Sequence, residues 1–320
     1  MKVAPAPTGK LPLLVSYHYM RQWPEDRIAY VLENPNCEML LDSGAFSALN
    51  AGATIDLEEY IAFLHRWGDK LFGYMLLDKL GDPVTTAANY DRMLDAGLRP
   101  IPIHVRGDTE DRMNELFDRS AYVALGGLRR PKVGWCKPGY ITMKMRWAAG
   151  RPVHWLGYTR QSMLAAFKPY SCDSSNNDSA AMYGRLIYGR LIYCSGMSLV
   201  SEAASSFLRD GDVPAQILKC LELIGANVAD LQDPATWRSF ASRGQRTKEF
   251  LTAQITLASY VLYAMRWSSE GVRVFLASAN ARNGIDHMFD YWNKLNPESE
   301  SYKVADEISS PARPVEEWFK

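Results

Sequence analysis

Between Leu11 and Asp173, apolar runs of strand length alternate at least six times with stretches of helical periodicity, and the links are short. Consecutive parallel strands need a long crossover, and a helix supplies it, so this rhythm predicts a parallel sheet covered by helices. Seven strands are expected, at Leu11–Tyr19, Glu38–Leu41, Phe72–Asp78, Pro100–Val105, Ala121–Leu125, Pro152–Leu156 and Tyr170–Asp173. Helices are expected at Pro24–Asn34, Asp56–Trp67, Thr85–Ala96, Glu110–Asp118, Tyr140–Ala149 and Gln161–Phe167. In the second of these, Leu57, Tyr60, Ile61, Leu64 and Trp67 recur near the 3.6-residue period and share one face.

Three strand runs close on an acid. Asp42 ends Glu38–Leu41 and opens the turn Ser43-Gly44-Ala45-Phe46. Asp78 ends the run Tyr74-Met75-Leu76-Leu77, and Asp173 ends Tyr170-Ser171-Cys172. A barrel gathers every strand end around one mouth, whereas an open doubly wound sheet uses only its switch point. Acids and glycines at so many strand ends therefore suit an α/β fold of the (β/α)8, TIM-like barrel type. No GxGxxG follows the first strand, which counts against a dinucleotide fold.

After Asp173 the rhythm changes. Tyr183-Gly184-Arg185-Leu186-Ile187-Tyr188 is followed at once by the near-repeat Gly189-Arg190-Leu191-Ile192-Tyr193. That pair reads either as the eighth strand or as a small hairpin. Helical stretches follow at Val213–Ile224 and Trp237–Trp267, Val272–Ala277 is one more candidate strand, and Pro297–Lys320 reads as an extended tail. The expected organisation is a barrel over residues 1–200 and a C-terminal helical extension over 201–320, packed on the barrel and available to close it.

Lys plus Arg equals Asp plus Glu at 36 each, so net charge exerts no global pull toward a polyanion. The local exception is Arg129 to Arg151, which holds Arg129, Arg130, Lys132, Lys137, Lys144, Arg146 and Arg151 without an acid. Trp135, Tyr140 and Trp147 interleave with them. A solvated surface is the plain reading, but cations among aromatics also suit phosphates and unstacked bases. Cys37, Cys136, Cys172, Cys194 and Cys220 are scattered and odd in number, with no CxxC pair. That pattern fits reduced thiols in a cytoplasm and argues against a zinc site. No apolar run reaches 18 residues, so no membrane span is expected, and Met1–Lys10 does not read as a signal peptide.

An acid at a strand end ordinarily caps the next helix or solvates a turn. Three of them, each after an apolar run, shift the balance toward a site. Paired carboxylates serve as nucleophile and acid/base at a glycosidic carbon, and a third carboxylate can accept hydrogen bonds from the N–H groups of a base. Gly126-Gly127 and Gly157 read first as tight turns, and second as places where backbone N–H groups approach a flat ligand. Phe46 and Leu156 are ordinarily core residues, yet together they could sandwich a base. His104, beside Arg106, follows the fourth strand; a lone His in an apolar run is usually a core group, and its place at the mouth raises the chance of substrate contact. His18 and His154 carry the same ambiguity at lower odds.

The order of these motifs resembles the tRNA-guanine transglycosylase superfamily: Asp42-Ser43-Gly44-Ala45-Phe46, the strand-end Asp78, Gly126-Gly127-Leu128, Leu156-Gly157 and the strand-end Asp173. Within it the chain is most similar to the phage and bacterial 7-deazaguanine DNA transglycosylases, over roughly residues 10–195. The resemblance implies Asp173 as nucleophile and Asp42 as general acid/base. It implies Phe46 as a stacking wall, Asp78 as the reader of the base's polar edge, and Gly126, Gly127, Leu156 and Gly157 as the rest of the base pocket, with His104 as a polar contact. Phosphates would be met by Arg129, Arg130, Lys132, Lys137, Lys144, Arg146 and Arg185.

The tRNA enzymes carry a CxCxxC motif and a distant His for structural zinc, and this chain has no such cluster, so no metal and no cofactor are expected. The expected activity is exchange of guanine in DNA for a 7-deazaguanine, such as a preQ0-like base, through a covalent aspartyl–glycosyl intermediate. A zinc-less tRNA-guanine transglycosylase is the nearer alternative. A metal-dependent barrel hydrolase and a non-catalytic nucleic-acid-binding protein are the alternatives of another class. Expected partners are DNA, or alternatively tRNA, and the free base, with no membrane. The expected location is cytoplasmic, in the host if a phage encodes the chain, and oligomeric state is left open.

Overall fold

The computed structural model describes residues 9–130, 134–136, 138–174, 186–188, 192–194, 213, 215–232, 251–278 and 284–295. They fall into two compact units. One holds the described residues up to Ser174 and returns to take in 270–278; the other holds those between 186 and 269, and 284–295. The division thus falls after Ser174, whereas the sequence placed it at residue 200.

The first unit opens with β1 (Leu11–Ser16), a helical turn α1 (Tyr17–Met20), α2 (Glu25–Leu32), β2 (Cys37–Asp42), α3 (Ala45–Asn50) and α4 (Leu57–Trp67). It continues with β3 (Gly73–Tyr74), α5 (Pro83–Asp95), β4 (Ile103–His104), α6 (Glu110–Arg119) and β5 (Val123–Leu125). A short antiparallel pair, β6 (Arg129–Arg130) and β7 (Gly134–Trp135), precedes α7 (Pro138–Ala148), β8 (Val153–Trp155), α8 (Gln161–Phe167) and β9 (Ser171–Ser174). Of the near-repeat region, the described residues β10 (Leu186–Tyr188) and β11 (Ile192–Cys194) pair antiparallel and belong to the second unit. The last strand of the first unit is instead β12 (Arg273–Ala277).

The helices start where the sequence chemistry directs. Asp56 accepts from Glu59 N at 2.9 Å at the head of α4, Asp82 from Thr85 N at 3.0 Å at α5, and Thr109 from Arg112 N at 3.2 Å at α6. Each satisfies a backbone donor that has no partner inside its helix, which is worth about 1 kcal/mol. Tyr60, Ile61, Leu64 and Trp67 form the buried stripe of α4.

The sheet is a curled, all-parallel array of eight strands in the order β3-β2-β1-β12-β9-β8-β5-β4. The segments at its two ends also meet. Met75 and Ile101 form an isolated parallel bridge, with Ile101 N donating to Tyr74 O at 2.8 Å and Leu76 N to Ile101 O at 3.0 Å. Side chains alternate across each strand, so Glu38, Leu40 and Asp42 share one face of β2, as Ser171 and Asp173 do on β9. One face is filled by Leu14, Leu40, Met75, Ile101, Tyr122, Ala124, Phe275 and Ala277, with Phe72, Ile103, Leu156 and Tyr170 packed against them. Each fully buried large side chain there contributes about 1.5–3 kcal/mol.

Arg273, at the start of β12, donates from Nε to Glu38 Oε2 at 2.9 Å and lies 5.0 Å from the Phe72 ring and 4.9 Å from that of Tyr170. This buried pair ties β12 to β2 across β1 and leaves the opposite, C-terminal strand ends to the site.

In the second unit, helix Leu251–Ser269 packs against Ala215–Ile224, Gly284–Lys294 and β10. Residues 237–250 of the helix expected at Trp237–Trp267, and the expected tail at Pro297–Lys320, lie outside the described residues. Among the described residues, no helix is long and apolar enough to cross a membrane.

Candidate active site

Ser16 and Asp42 stand opposite each other in the β1–β2 register, at the C-terminal ends of both strands. The chain after Asp42 turns at once, and Gly44 adopts φ +80°. A Cβ at Gly44 would lie 2.7 Å from His18 Cβ and 2.8 Å from His18 N, so this turn accepts only glycine. The turn brings Gly44 N–H back onto Asp42 Oδ2 at 3.0 Å. It also places Ser43 Oγ 3.5 Å from Asp78 Oδ1, a long contact that bridges the first two acids.

Burial raises the Asp42 carboxyl to about 7, and the negative charges of Asp78 and Asp173 push the same way. Burial also raises Asp78, against the hydrogen bonds it accepts. Asp42 thus lies within electrostatic reach of both other strand-end acids, although the three come from β2, the segment after β3, and β9.

Asp173 is held differently. It is 8% exposed, and its Oδ1 receives two donors: Gly157 N–H at 2.6 Å and His154 Nε2 at 3.2 Å. Among the described residues, no hydrogen bond reaches Oδ2. Gly157 has φ +62° with open space where a Cβ would stand, so the glycine answers to backbone conformation and not to crowding. Behind His154, Nδ1 meets Ser171 Oγ, and Ser171 Oγ meets Tyr122 OH. All three side chains are fully buried.

The other expected contacts divide. Phe46, in the first turn of α3, is 60% exposed. Leu49, Leu80, Val84 and Val105 are also exposed, and each follows the C-terminal end of β2, β3 or β4. Leu156 is partly buried against the sheet-face core. Gly127 has φ +69°, and a Cβ there would lie 2.9 Å from Arg106 Cβ; at Gly126 it would lie 3.2 Å from Ile103 Cγ2. Glycine is needed at Gly127, where the chain after β5 passes close to Arg106 after β4; at Gly126 the contact with Ile103 of β4 is tight but less severe.

Two expectations need correction. His104 is fully buried, with Nε2 2.9 Å from Thr109 O and Nδ1 3.1 Å from Lys144 Nζ. A carbonyl only accepts, so Nε2 carries the proton and Nδ1 accepts from the lysine. Both ring nitrogens are occupied, and His104 is a brace inside the fold, not a base contact. Lys144, expected at phosphates, is 1% exposed and also bonds Asp108 O at 3.1 Å. Burial lowers its ammonium to about 8. Arg146, two residues on and so on the opposite side of the same helix, is exposed. The backbone of Arg129–Arg130 pairs with Gly134–Trp135, while Lys132, Lys137 and Arg185 lie outside the described residues.

The sequence reading missed the roles of Ser171 and Tyr122 and gave His154 low odds. It gave His18 the same low odds and missed Ser16; Ser16 Oγ, opposite Asp42, and His18 Nδ1, in the helical turn beside Gly44, are buried with no hydrogen-bond partner among the described residues. The available signal was parity. Ser171 lies two residues before Asp173, hence on the same face, and His154 lies two before Leu156. Among the described residues, no three His, Cys, Asp or Glu side chains are grouped so as to hold a metal ion.

No model of a protein family and no curated protein sequence matches this chain.

Proposed function

We propose that this chain is a base-exchange transglycosylase that replaces guanine in DNA with a 7-deazaguanine, on a sheet closed into a (β/α)8 barrel. Closure is supported by the Met75–Ile101 bridge between the two ends of the strand order. The enzymatic reading is carried by one observation: two carboxyls at the same end of the sheet sit in contrasting environments. Asp42 holds its proton up to about neutral pH, and Asp173 presents a carboxylate oxygen whose partner oxygen is clamped by two N–H donors. A proton held on one carboxyl beside a second whose free oxygen faces the site suits the roles of acid and nucleophile.

In the mechanism, the target nucleotide leaves the stack at a cost of about a few kcal/mol. Asp173 Oδ2 attacks C1′ as the C1′–N9 bond breaks, and Asp42 gives its proton to the departing guanine. The incoming base then attacks C1′ through its ring nitrogen, the ester bond breaks, and Asp42 takes the proton released. Two displacements at one carbon retain its configuration. Phe46 stacks on the base from its exposed position, Asp78 with Ser43 reads its polar edge, and Leu156 with the Gly157 backbone forms the other wall. Arg146 remains available for phosphates, and Lys144 is withdrawn from that role by its burial.

Incubation of the protein with DNA and labelled guanine or labelled 7-deazaguanine tests the reading. Label should enter DNA with the wild type and not with Asp173→Ala. Label entering tRNA alone would move the assignment to the tRNA branch; label entering neither would remove it.

A further inference from the structure

We infer that Tyr122, Ser171 and His154 form a one-way chain of hydrogen-bond donors that ends on Asp173 Oδ1, and that His154 is a positioning residue which makes Oδ2 the attacking atom and assists breakdown of the glycosyl ester. The inference rests on the transglycosylase reading for its chemistry and on the contacts alone for its direction.

The direction follows from counting donors. His154 Nε2 lies 3.2 Å from a carboxylate oxygen, which accepts when ionised, so Nε2 carries a proton. At the far end, Tyr122 OH is buried, and burial keeps the phenol protonated. Among the described residues its hydroxyl meets only Ser171 Oγ. If the phenol donates to Ser171 Oγ, the serine proton goes to His154 Nδ1, and every donor has an acceptor. If Nδ1 instead donated to the serine, the serine proton would turn to the tyrosine and leave the buried phenol proton without an acceptor, which costs more than a hydrogen bond returns. The consistent state is therefore a neutral imidazole with its proton on Nε2.

The second consequence is chemical. Gly157 N–H and His154 Nε2–H both point at Oδ1. In the first step an Oδ2 lone pair forms the bond to C1′ while the C1′–N9 pair leaves with the base, and Oδ1 becomes the ester carbonyl. In the second step the C1′–Oδ2 pair returns to the carboxylate, and negative charge reappears on Oδ1. Donors already aimed there favour that return, as donors aimed at a developing anion generally do. Loss of the His154 donor should therefore slow ester breakdown more than ester formation.

The test joins two measurements. Nitrogen-15 NMR of the histidines, without substrate, should show His154 neutral, protonated at Nε2, with Nδ1 accepting; a proton on Nδ1 overturns the chain. Single-turnover exchange with His154→Phe should show about tenfold to a hundredfold slower release of the DNA–enzyme adduct, so that adduct accumulates. His154→Gln, which keeps an N–H donor, should recover part of that loss, and Ser171→Ala should show a smaller accumulation of the same kind. Unchanged adduct lifetime in a folded His154→Phe protein, or in Ser171→Ala should His154→Phe not fold, overturns the positioning role. Failure of the wild type to exchange bases would count against the transglycosylase reading, while the tautomer would still decide the direction of the chain.

Discussion

Gly44 passes so close to His18 that a Cβ on the glycine would stand 2.7 Å from His18 Cβ. The contact explains why an Asp-Ser-Gly sequence follows β2: the turn aims Gly44 N–H at Asp42 only if nothing projects from the glycine toward β1. Gly44→Ala should therefore destabilise the fold by about 2–4 kcal/mol, combining a left-handed backbone with overpacking. Gly157→Ala, at φ +62° with open space, should cost only about 1 kcal/mol. Urea unfolding of the two variants gives the comparison; equal losses would contradict the crowding at Gly44.

The pKa of Asp42 sets a pH signature. Its value of about 7 in the folded protein lies above the ordinary carboxyl value of 3.8, with burial as the main cause and the charges of Asp78 and Asp173 behind it. The folded state therefore binds more protons than the unfolded chain between those values, and stability falls as pH rises from about 4 to about 7. Asp42→Asn removes that loss. The variant should be more stable than wild type at pH 8 by a few kcal/mol, and similar to it near pH 4. Thermal or urea unfolding at both pH values checks this. Exchange activity should fall above about pH 7 in the wild type, as the proton needed by the leaving base is lost.

Phe46 is exposed enough that the fold does not depend on it. Phe46→Ala should change unfolding free energy by less than about 0.5 kcal/mol. It should weaken use of the base by about tenfold, since base–aromatic stacking is worth about 1–3 kcal/mol. A variant that loses stability and keeps full activity would show Phe46 to be packing and not a wall.

Lys144 and Arg146 separate a brace from a surface cation. Lys144→Met leaves His104 Nδ1 and Asp108 O without their donor and should cost about 2–4 kcal/mol of stability. Because burial places the ammonium at about 8, below its ordinary value of 10.5, wild-type stability should rise with pH across that window, and Lys144→Met should not share the rise. Arg146→Ala should leave stability unchanged and weaken DNA binding, with a shallower dependence on salt. Lys144→Met should leave that salt dependence as it is.

The alternation of elements made the parallel sheet legible because continuous apolar runs of strand length and amphipathic helices are local signals. The three acids were legible for the same reason, since each closes an apolar run. Contacts made across distance were not. His104 looked like a mouth residue because a strand-end position does not reveal where a ring points; its partner Lys144 arrives on α7, 40 residues later. β12 pairs with β1 and β9 after a second unit has intervened, and Val272–Ala277 carried only the signal of one more apolar run. His154 and Ser171 were single polar residues in buried strands, and only their shared parity with Leu156 and Asp173 pointed inward.

The central claim is that Asp173 forms an ester with the sugar at C1′. The most direct measurement is mass spectrometry of enzyme quenched during turnover on a short DNA, followed by mapping of the modified peptide. The account predicts a DNA-bearing adduct on the peptide containing Asp173, absent in Asp173→Asn. Base exchange that proceeds with no adduct there, or with the adduct on Asp42, would contradict it.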